Sequence, residues 1–377
     1  MRICHLGKFY PPAPGGIETH LQTLARAQRA LGLDVQVLCM NHEKSRASVE
    51  LDHGVDVQRF NPVAAPFHLQ LCPQLIRAIR HSRAEILHMQ VPNPAMILHV
   101  LAARPAQPLV VTYQSDIVRQ RLRAALFRPL ERKFYKRVVK ILPTSPPYAA
   151  GSEFLQRYSK KTEILPMGID LEPYLNPSIE HRDKAAELIR SVNGPIWLAC
   201  GRLVYYKGLI NAVRALAAVP GTLIIIGSGP EFDALNAEIK ALKLESRVLF
   251  AGNLPYQDII PYYLAAHALW FPSNARSEAF GLVQVEAMAC ACPVINTAIP
   301  GSGVAWVSPH EISGLTIPMN DPAALAAAAM RLLDDASLRQ RLGAAGRARA
   351  KSEFDHMTMA RRCIQIYEDV LKPVQMN

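Results

Sequence analysis

The chain has 377 residues, half of them apolar, a mean hydropathy of +0.07 and a formal net charge of +11. At roughly 150 residues per domain, that much apolar material fills two or three ordinary cores and excludes a largely disordered chain. The excess charge is confined: residues 1–170 carry 23 Lys+Arg against 12 Asp+Glu, and residues 171–377 carry 19 of each, so an acidic partner is expected on the first half.

In chain order, Arg2–Leu6 reads as a short strand running into a loop, not as a signal peptide. Pro14-Gly15-Gly16-Ile17-Glu18 follows, and leucines 21, 24 and 31 place a helix over 17–31 that Gly32 ends. Gly15 and Gly16 let a phosphate or sugar approach backbone amides at the helix start, although an ordinary strand-to-helix turn has the same residues. The G-x-G-x-x-G spacing of a nicotinamide site is missing, which disfavours a dehydrogenase. Further strands are expected at 35–40, 85–89 and 109–112, and this alternation argues for a parallel, doubly wound sheet. The longest apolar run, 95–103, is interrupted by His99 and falls far short of the roughly 18 residues that span a bilayer.

Residues 119–140 hold nine Lys/Arg and one acid, Glu131, with apolar residues at near-helical spacing and Pro129 as an expected break between two helices. Arg119, Arg121, Arg123, Arg128, Arg132, Lys133, Lys136 and Arg137 form a basic amphipathic pattern. It suits an anionic membrane surface or a lipid diphosphate, or simply a solvated face over a normal core. Nucleic acid is not expected, because no nucleic-acid-binding motif accompanies the charge.

The rhythm restarts after Asp170. A linker and lead-in helix over 171–194 precede strands at 196–200, 222–226, 247–251, 268–271 and 293–297. Helices fit at 209–218, 231–243 and 281–291, with a helical stretch over 322–350. Two Rossmann-like domains facing a cleft follow from this pattern, with ligand loops at the carboxyl ends of the strands. In Gly201-Arg202-Leu203-Val204-Tyr205-Tyr206-Lys207-Gly208, Arg202 offers a fork for phosphate oxygens and Lys207 a mobile point charge. Gly227-Ser228-Gly229-Pro230 is a tight turn that serves equally as scaffold or as a wall of a nucleotide pocket. In Ser277-Glu278-Ala279-Phe280-Gly281-Leu282-Val283-Gln284-Val285-Glu286, each carboxylate has the capacity to accept from two sugar hydroxyls. The amides of Ala279, Phe280, Gly281 and Leu282 sit at a helix start, where sugar oxygens or phosphate bind. Seven scattered cysteines read as reduced, buried thiols of a cytosolic protein. Cys290-x-Cys292 lacks the second pair a metal site needs. His5, His20, His88 and His99 read mostly as structural, with His20 near the Gly-Gly loop.

The ordered series GGIE, GRLVYYKG, IIIGSGP and SEAFGLVQVE resembles the retaining glycosyltransferases of family four, and the resemblance spans nearly the whole chain. It implies the GT-B fold, transfer of a sugar from a nucleotide donor with anomeric configuration retained, and no requirement for a bound metal or other cofactor. By resemblance, Arg202 and Lys207 hold the donor diphosphate, Glu278 faces the donor sugar, and Glu286 binds the ribose hydroxyls. Gly15 and Gly16 close over the phosphates. It also implies an acceptor-side domain over 1–170, a nucleotide-sugar domain over 171–354, and a C-terminal helix from about 355 that returns to the first domain.

The chain departs from the family at Gln114, where many relatives carry a His facing the donor sugar. Gln cannot take a proton at neutral pH. A front-face mechanism, in which the leaving phosphate takes the acceptor's proton, accommodates it, and Asp116 is a nearby polar partner. The wording of VVTYxSDIVRQ and GRLVYYKG resembles bacterial surface-polysaccharide mannosyl- and hexosyltransferases. The expected donor is therefore GDP-mannose, with a UDP-hexose as alternative. The acceptor is expected to be lipid-linked or a saccharide, and the location the cytoplasmic face of the membrane, peripherally bound. A GT-B sugar-nucleotide epimerase and a catalytically silent sugar-nucleotide-binding protein are the competing readings.

Overall fold

The structure is a computed structural model that describes residues 1–13, 15–43, 47–63, 70–114 and 121–372, with the backbone alone for 121–126. The chain divides into two compact units, residues 1–169 with 356–377, and residues 170–355.

The first unit is built on β1 (Arg2–Leu6), β2 (Asp34–Met40), β3 (Ser48–Asp52), β4 (Val55–Phe60), β5 (Ile86–Val91), β6 (Leu109–Tyr113) and β7 (Val138–Pro143), in the order β3-β4-β2-β1-β5-β6-β7. All pairings are parallel except β3 with β4. The central strands are buried on both faces, which is why they read as unbroken apolar runs. The helix Gly16–Ala30 lays Leu21, Leu24 and Ala27 over Val35, Val37 and Ile86. The C-terminal helix His356–Leu371 adds Met359, Ile366 and Tyr367 to the same core.

Two features differ from the sequence expectation. The hairpin β3–β4 was not anticipated. Its turn is His53-Gly54 with φ of 49° and 84°, the two left-handed residues a type I′ turn requires. Pro129 does not break the basic stretch: one helix runs from Arg121 to Arg137 with Pro129 inside it, and 138–140 then enter β7. Arg128, Pro129 and Leu130 are all exposed, so the proline ring sits on the water-facing side of the helix. The far end of this helix is held firmly. Lys161 Nζ donates to the carbonyls of Tyr135, Lys136 and Val138 at 3.2, 3.2 and 2.6 Å, satisfying groups the helix end leaves open. Tyr135 packs edge-on against Phe154, which stacks on Tyr113 at the end of β6.

A buried polar chain ties the C-terminal helix to the sheet. Gln28 Nε2 donates to the Tyr367 hydroxyl at 3.2 Å, and that hydroxyl lies 2.5 Å from His88 Nδ1. With its one proton directed at Nδ1, His88 is the tautomer whose Nε2–H donates to Thr112 Oγ1 at 2.7 Å. His5 Nε2 donates to Gln28 Oε1 at 2.7 Å. His20 is buried beside them with neither ring nitrogen bonded. Burial holds the pKa of both His5 and His20 at about 4. The unfolded chain therefore binds protons first as pH falls. Stability from these two groups is complete above about pH 6.5 and is lost as pH falls toward 4, at about 2 kcal/mol each by pH 5. Thermal midpoints at pH 7.5 and pH 5 should differ accordingly, and His20→Leu should shrink the difference. An unchanged difference in the variant would contradict the assignment to His20.

The second unit carries β8 (Ile196–Cys200), β9 (Thr222–Ile226), β10 (Val248–Gly252), β11 (Ala268–Phe271), β12 (Val294–Thr297) and β13 (Gly314–Ile317), in the all-parallel order β10-β9-β8-β11-β12-β13. Stacked Trp197 and Trp270 sit at the heart of its core. The stretch over 322–350 resolves into two helices, Pro322–Asp334 and Ala336–Glu353, because Asp335 breaks out to cap the second through the Leu338 amide at 2.8 Å. All seven cysteines are buried and unpaired. No helix among the described residues is long and apolar enough to cross a membrane.

Candidate active site

The sheet order of the second unit places β8 between β9 and β11, so the loops following these three strands emerge side by side at their carboxyl ends. After β8, Gly201 N donates to Ile226 O at 2.9 Å and Leu203 N to Ser228 O at 2.9 Å. This stitches the Arg202 loop to the Gly227-Ser228-Gly229 turn. Gly227 has φ +134°, and a Cβ there would lie 2.1 Å from the Gly201 carbonyl oxygen, so the approach of the two loops requires glycine. Arg202 is exposed and has no carboxylate partner among the described residues.

Lys207 ends the short turn Tyr205–Lys207 and points inward. Its Nζ lies 4.8 Å above the Phe271 ring and 2.6 Å from Glu278 Oε2, with both side chains nearly buried. The structure thus joins the basic loop after β8 to the carboxylate loop after β11. Glu278 is held from behind. Its amide donates to Ala275 O at 2.9 Å, its carbonyl accepts from Ser302 Oγ, and Gly303 N donates to Ala279 O at 2.9 Å. Ala279 and Phe280 are buried. Gly281, with φ +80°, turns the chain into the helix Leu282–Ala289, whose first amides receive no side-chain cap.

Glu286 lies on the inner side of that helix and is 4 % exposed. The Tyr263 hydroxyl donates to its Oε2 at 2.7 Å. Burial pushes its pKa up to about 7, against the opposing effects of Tyr263 and Lys207. On the acid side of that value one oxygen carries a proton, and the group has less capacity to accept from a ligand's hydroxyls.

Other expected site residues lie in the first unit. The Gly15 carbonyl accepts from the amide and hydroxyl of Thr19, both at 3.0 Å, and a Cβ at Gly16 would meet nothing within 4 Å. Gln114 directly follows β6; its backbone amide donates to Val91 O at 3.1 Å and its Nε2 to Gln90 Oε1 at 3.0 Å. Asp116 and Arg119, and the side chains of Arg121 and Arg123, lie outside the described residues. Arg128, Arg132, Lys133 and Lys136 are exposed, whereas Arg137 is partly buried and donates to the Pro105 carbonyl, a structural bond. His99 is likewise structural, its Nε2 accepting from Cys72 N at 2.9 Å. Sequence reasoning missed Tyr263 and Phe271. Both read as ordinary core aromatics, and no spacing relates Tyr263 to Glu286 or Phe271 to Lys207, the groups they contact.

The family models for "Glycosyl transferase 4-like domain" and "Glycosyl transferases group 1" match residues 15–168 and 181–349. The chain belongs to the group 1 glycosyltransferases, the retaining family four, with the GT-B fold. It is 32 % identical to the O-antigen chain mannosyltransferase C of Escherichia coli, over 99 % of both chains. It is 31 % identical to the D-rhamnosyltransferase WbpZ of Pseudomonas aeruginosa, over 94 % of this chain and 92 % of that one. Among solved structures, the sucrose-phosphate synthase of Thermosynechococcus elongatus superposes with a TM-score of 0.80 at 25 % identity, covering 98 % of both chains. HepE of Anabaena in complex with UDP gives 0.79 at 20 % identity, covering 98 % of this chain and all of that one, and speaks to the fold alone.

Proposed function

We propose that the chain transfers a hexose, with GDP-mannose the favoured donor, to a lipid-linked or saccharide acceptor during synthesis of a surface polysaccharide, peripherally on the cytoplasmic face of the membrane. The observation that carries this reading is the Lys207–Glu278 pair, which sets a cation and a carboxylate at the strand ends beside the unpaired Arg202. Arg202 and Lys207 take the diphosphate and neutralise it as it leaves. Glu278 faces the sugar, where positive charge develops at the anomeric carbon. The amides of Ala279 to Leu282 meet sugar or phosphate oxygens, and Glu286 takes the ribose hydroxyls. Gly15 and Gly16 admit the phosphates to the helix start. The acceptor hydroxyl attacks from the face that the diphosphate leaves, and the departing phosphate oxygen takes its proton. Gln114 therefore has only to orient groups.

The exposed Arg128, Arg132, Lys133 and Lys136 suit the diphosphate of a lipid-linked acceptor or an anionic bilayer. Mannosyl and rhamnosyl transfer by the two relatives support a hexose donor of this kind. A UDP-hexose is the alternative. Gln114 keeps one other reading open, a binding protein without turnover.

A thermal-shift panel of GDP, UDP, GDP-mannose, UDP-glucose and UDP-N-acetylglucosamine, without added metal, tests the donor. A ligand at 100 times its Kd should add about 2.7 kcal/mol of stability and raise the midpoint. The guanine nucleotides should give the larger shift. A larger shift with uridine would replace GDP-mannose, and no shift with any of the five would count against the donor site itself. Binding without transfer across a panel of acceptors would favour the silent protein.

A further inference from the structure

Glu286 is an expensive residue in its position. It lies on the helix Leu282–Ala289, whose residues from Gln284 to Ala289 are all buried, so its carboxylate loses its hydration. A carboxylate has about four acceptor positions, yet only Oε2 is bonded, to Tyr263. Oε1 accepts no hydrogen bond among the described residues. Tyr263 is itself fully buried, on the helix Tyr256–Ala265, and has one proton to give. The other groups around Glu286 are Lys207 beyond β8, Cys200 at the end of β8, Tyr174 on the helix Glu172–Leu175 and Cys290 past its own helix. Burial holds Tyr174, Cys200 and Cys290 neutral at physiological pH, so Lys207 is the single charge among them.

We propose that Tyr263 is a positioning residue for the donor: by occupying Glu286 Oε2 it fixes the carboxylate plane and presents Oε1 as the acceptor for the vicinal hydroxyls of the nucleotide's ribose. The inference rests on the assignment of Glu286 to the ribose. The phenol also stabilises the ionised form of Glu286, the form that accepts two hydroxyl donors. Removing the phenolic oxygen leaves the carboxyl more basic and rotationally free. The loss is therefore present at every pH and is largest at mildly acid pH, where the more basic carboxyl is also partly protonated.

The test is titration calorimetry of wild type and Tyr263→Phe with GDP, UDP and their 2′,3′-dideoxy analogues at pH 6.5 and pH 8.5. For the nucleotide that wild type binds, the variant should bind about tenfold more weakly at pH 6.5 and about three- to fivefold more weakly at pH 8.5, where only the lost positioning remains. The dideoxy analogue should not distinguish the two proteins. Glu286→Gln should flatten the pH dependence, and adding Tyr263→Phe to it should cost little more. Equal weakening at both pH values and for both analogues would reduce Tyr263 to packing and overturn the proposal, as would full affinity of Tyr263→Phe at pH 6.5. Failure of wild type to bind either nucleotide would instead bring down the donor-site assignment beneath it.

Discussion

Glu278→Gln should lower kcat by about 10²- to 10³-fold while leaving the thermal midpoint within a few degrees of wild type. The amide keeps the size and one acceptor oxygen of the carboxyl, so the loop held by Ser302 and Gly303 has no reason to move. What disappears is a negative charge in a nearly buried site, 2.6 Å from Lys207 Nζ and aimed at the proposed anomeric centre. Fixed charges in such sites contribute about 3–4 kcal/mol to a transition state, which is the stated loss in rate. Alanine would be a poorer probe, because it strands the Lys207 ammonium above Phe271 without a partner, and breaking a buried pair that way costs about 3–5 kcal/mol in stability. A cycle with Lys207→Met separates the two contributions. Initial rates at saturating donor decide the matter, and wild-type turnover in Glu278→Gln would remove Glu278 from the chemistry.

Gly227→Ala should have the largest effect on stability, about 3–5 kcal/mol, seen as a fall of roughly 10 °C in the unfolding of the second unit. The new Cβ would lie 2.1 Å from the Gly201 carbonyl oxygen at a φ of +134°. Neither loop is free to yield, since Gly227 N donates to Gly252 O at 2.8 Å and Gly201 N to Ile226 O at 2.9 Å. Any relaxation displaces the loop that carries Arg202, so nucleotide-induced stabilisation should vanish together with intrinsic stability. Gly252→Ala is the control. Its φ is +69°, but a Cβ there meets nothing within 4 Å, so only the local conformational cost of about 1 kcal/mol remains. Calorimetric scans of both variants with and without nucleotide measure the contrast, and similar losses in the two would refute the steric account.

Much of this architecture could be read from residue order. The nine expected strands all exist, with boundaries shifted by a residue or two, because most of them are buried on both faces and therefore read as apolar runs. The strands not expected are β3, β4, β7 and β13; β7 was hidden because Val138–Lys140 reads as the end of the basic helical stretch. Ser48-Val-Glu-Leu-Asp alternates polar and apolar at an exposed edge, and its one clear signal, His53-Gly54 between two alternating runs, was overlooked. Pro129 was overinterpreted, since its ring sits on the water-facing side of one helix. Within the site, the motifs marked Lys207, Glu278 and Glu286 individually. The ion pair between the first two, and the phenol on the third, arise from adjacency of β8 and β11 and of two helices, relations that only the folded chain creates.

The buried bond from Gln28 to Tyr367 joins two segments at opposite ends of the chain. The helix Gly16–Ala30 is made well before the helix His356–Leu371 that covers part of its apolar face. Residues 170–355, contiguous and self-contained, have all their partners before then. Translation thus delivers the second unit complete while the first still waits with Leu21, Leu24 and Ala27 incompletely covered. A chain ended before His356 would leave this face uncovered, so the first unit should lose more stability than a helix at the surface would cost.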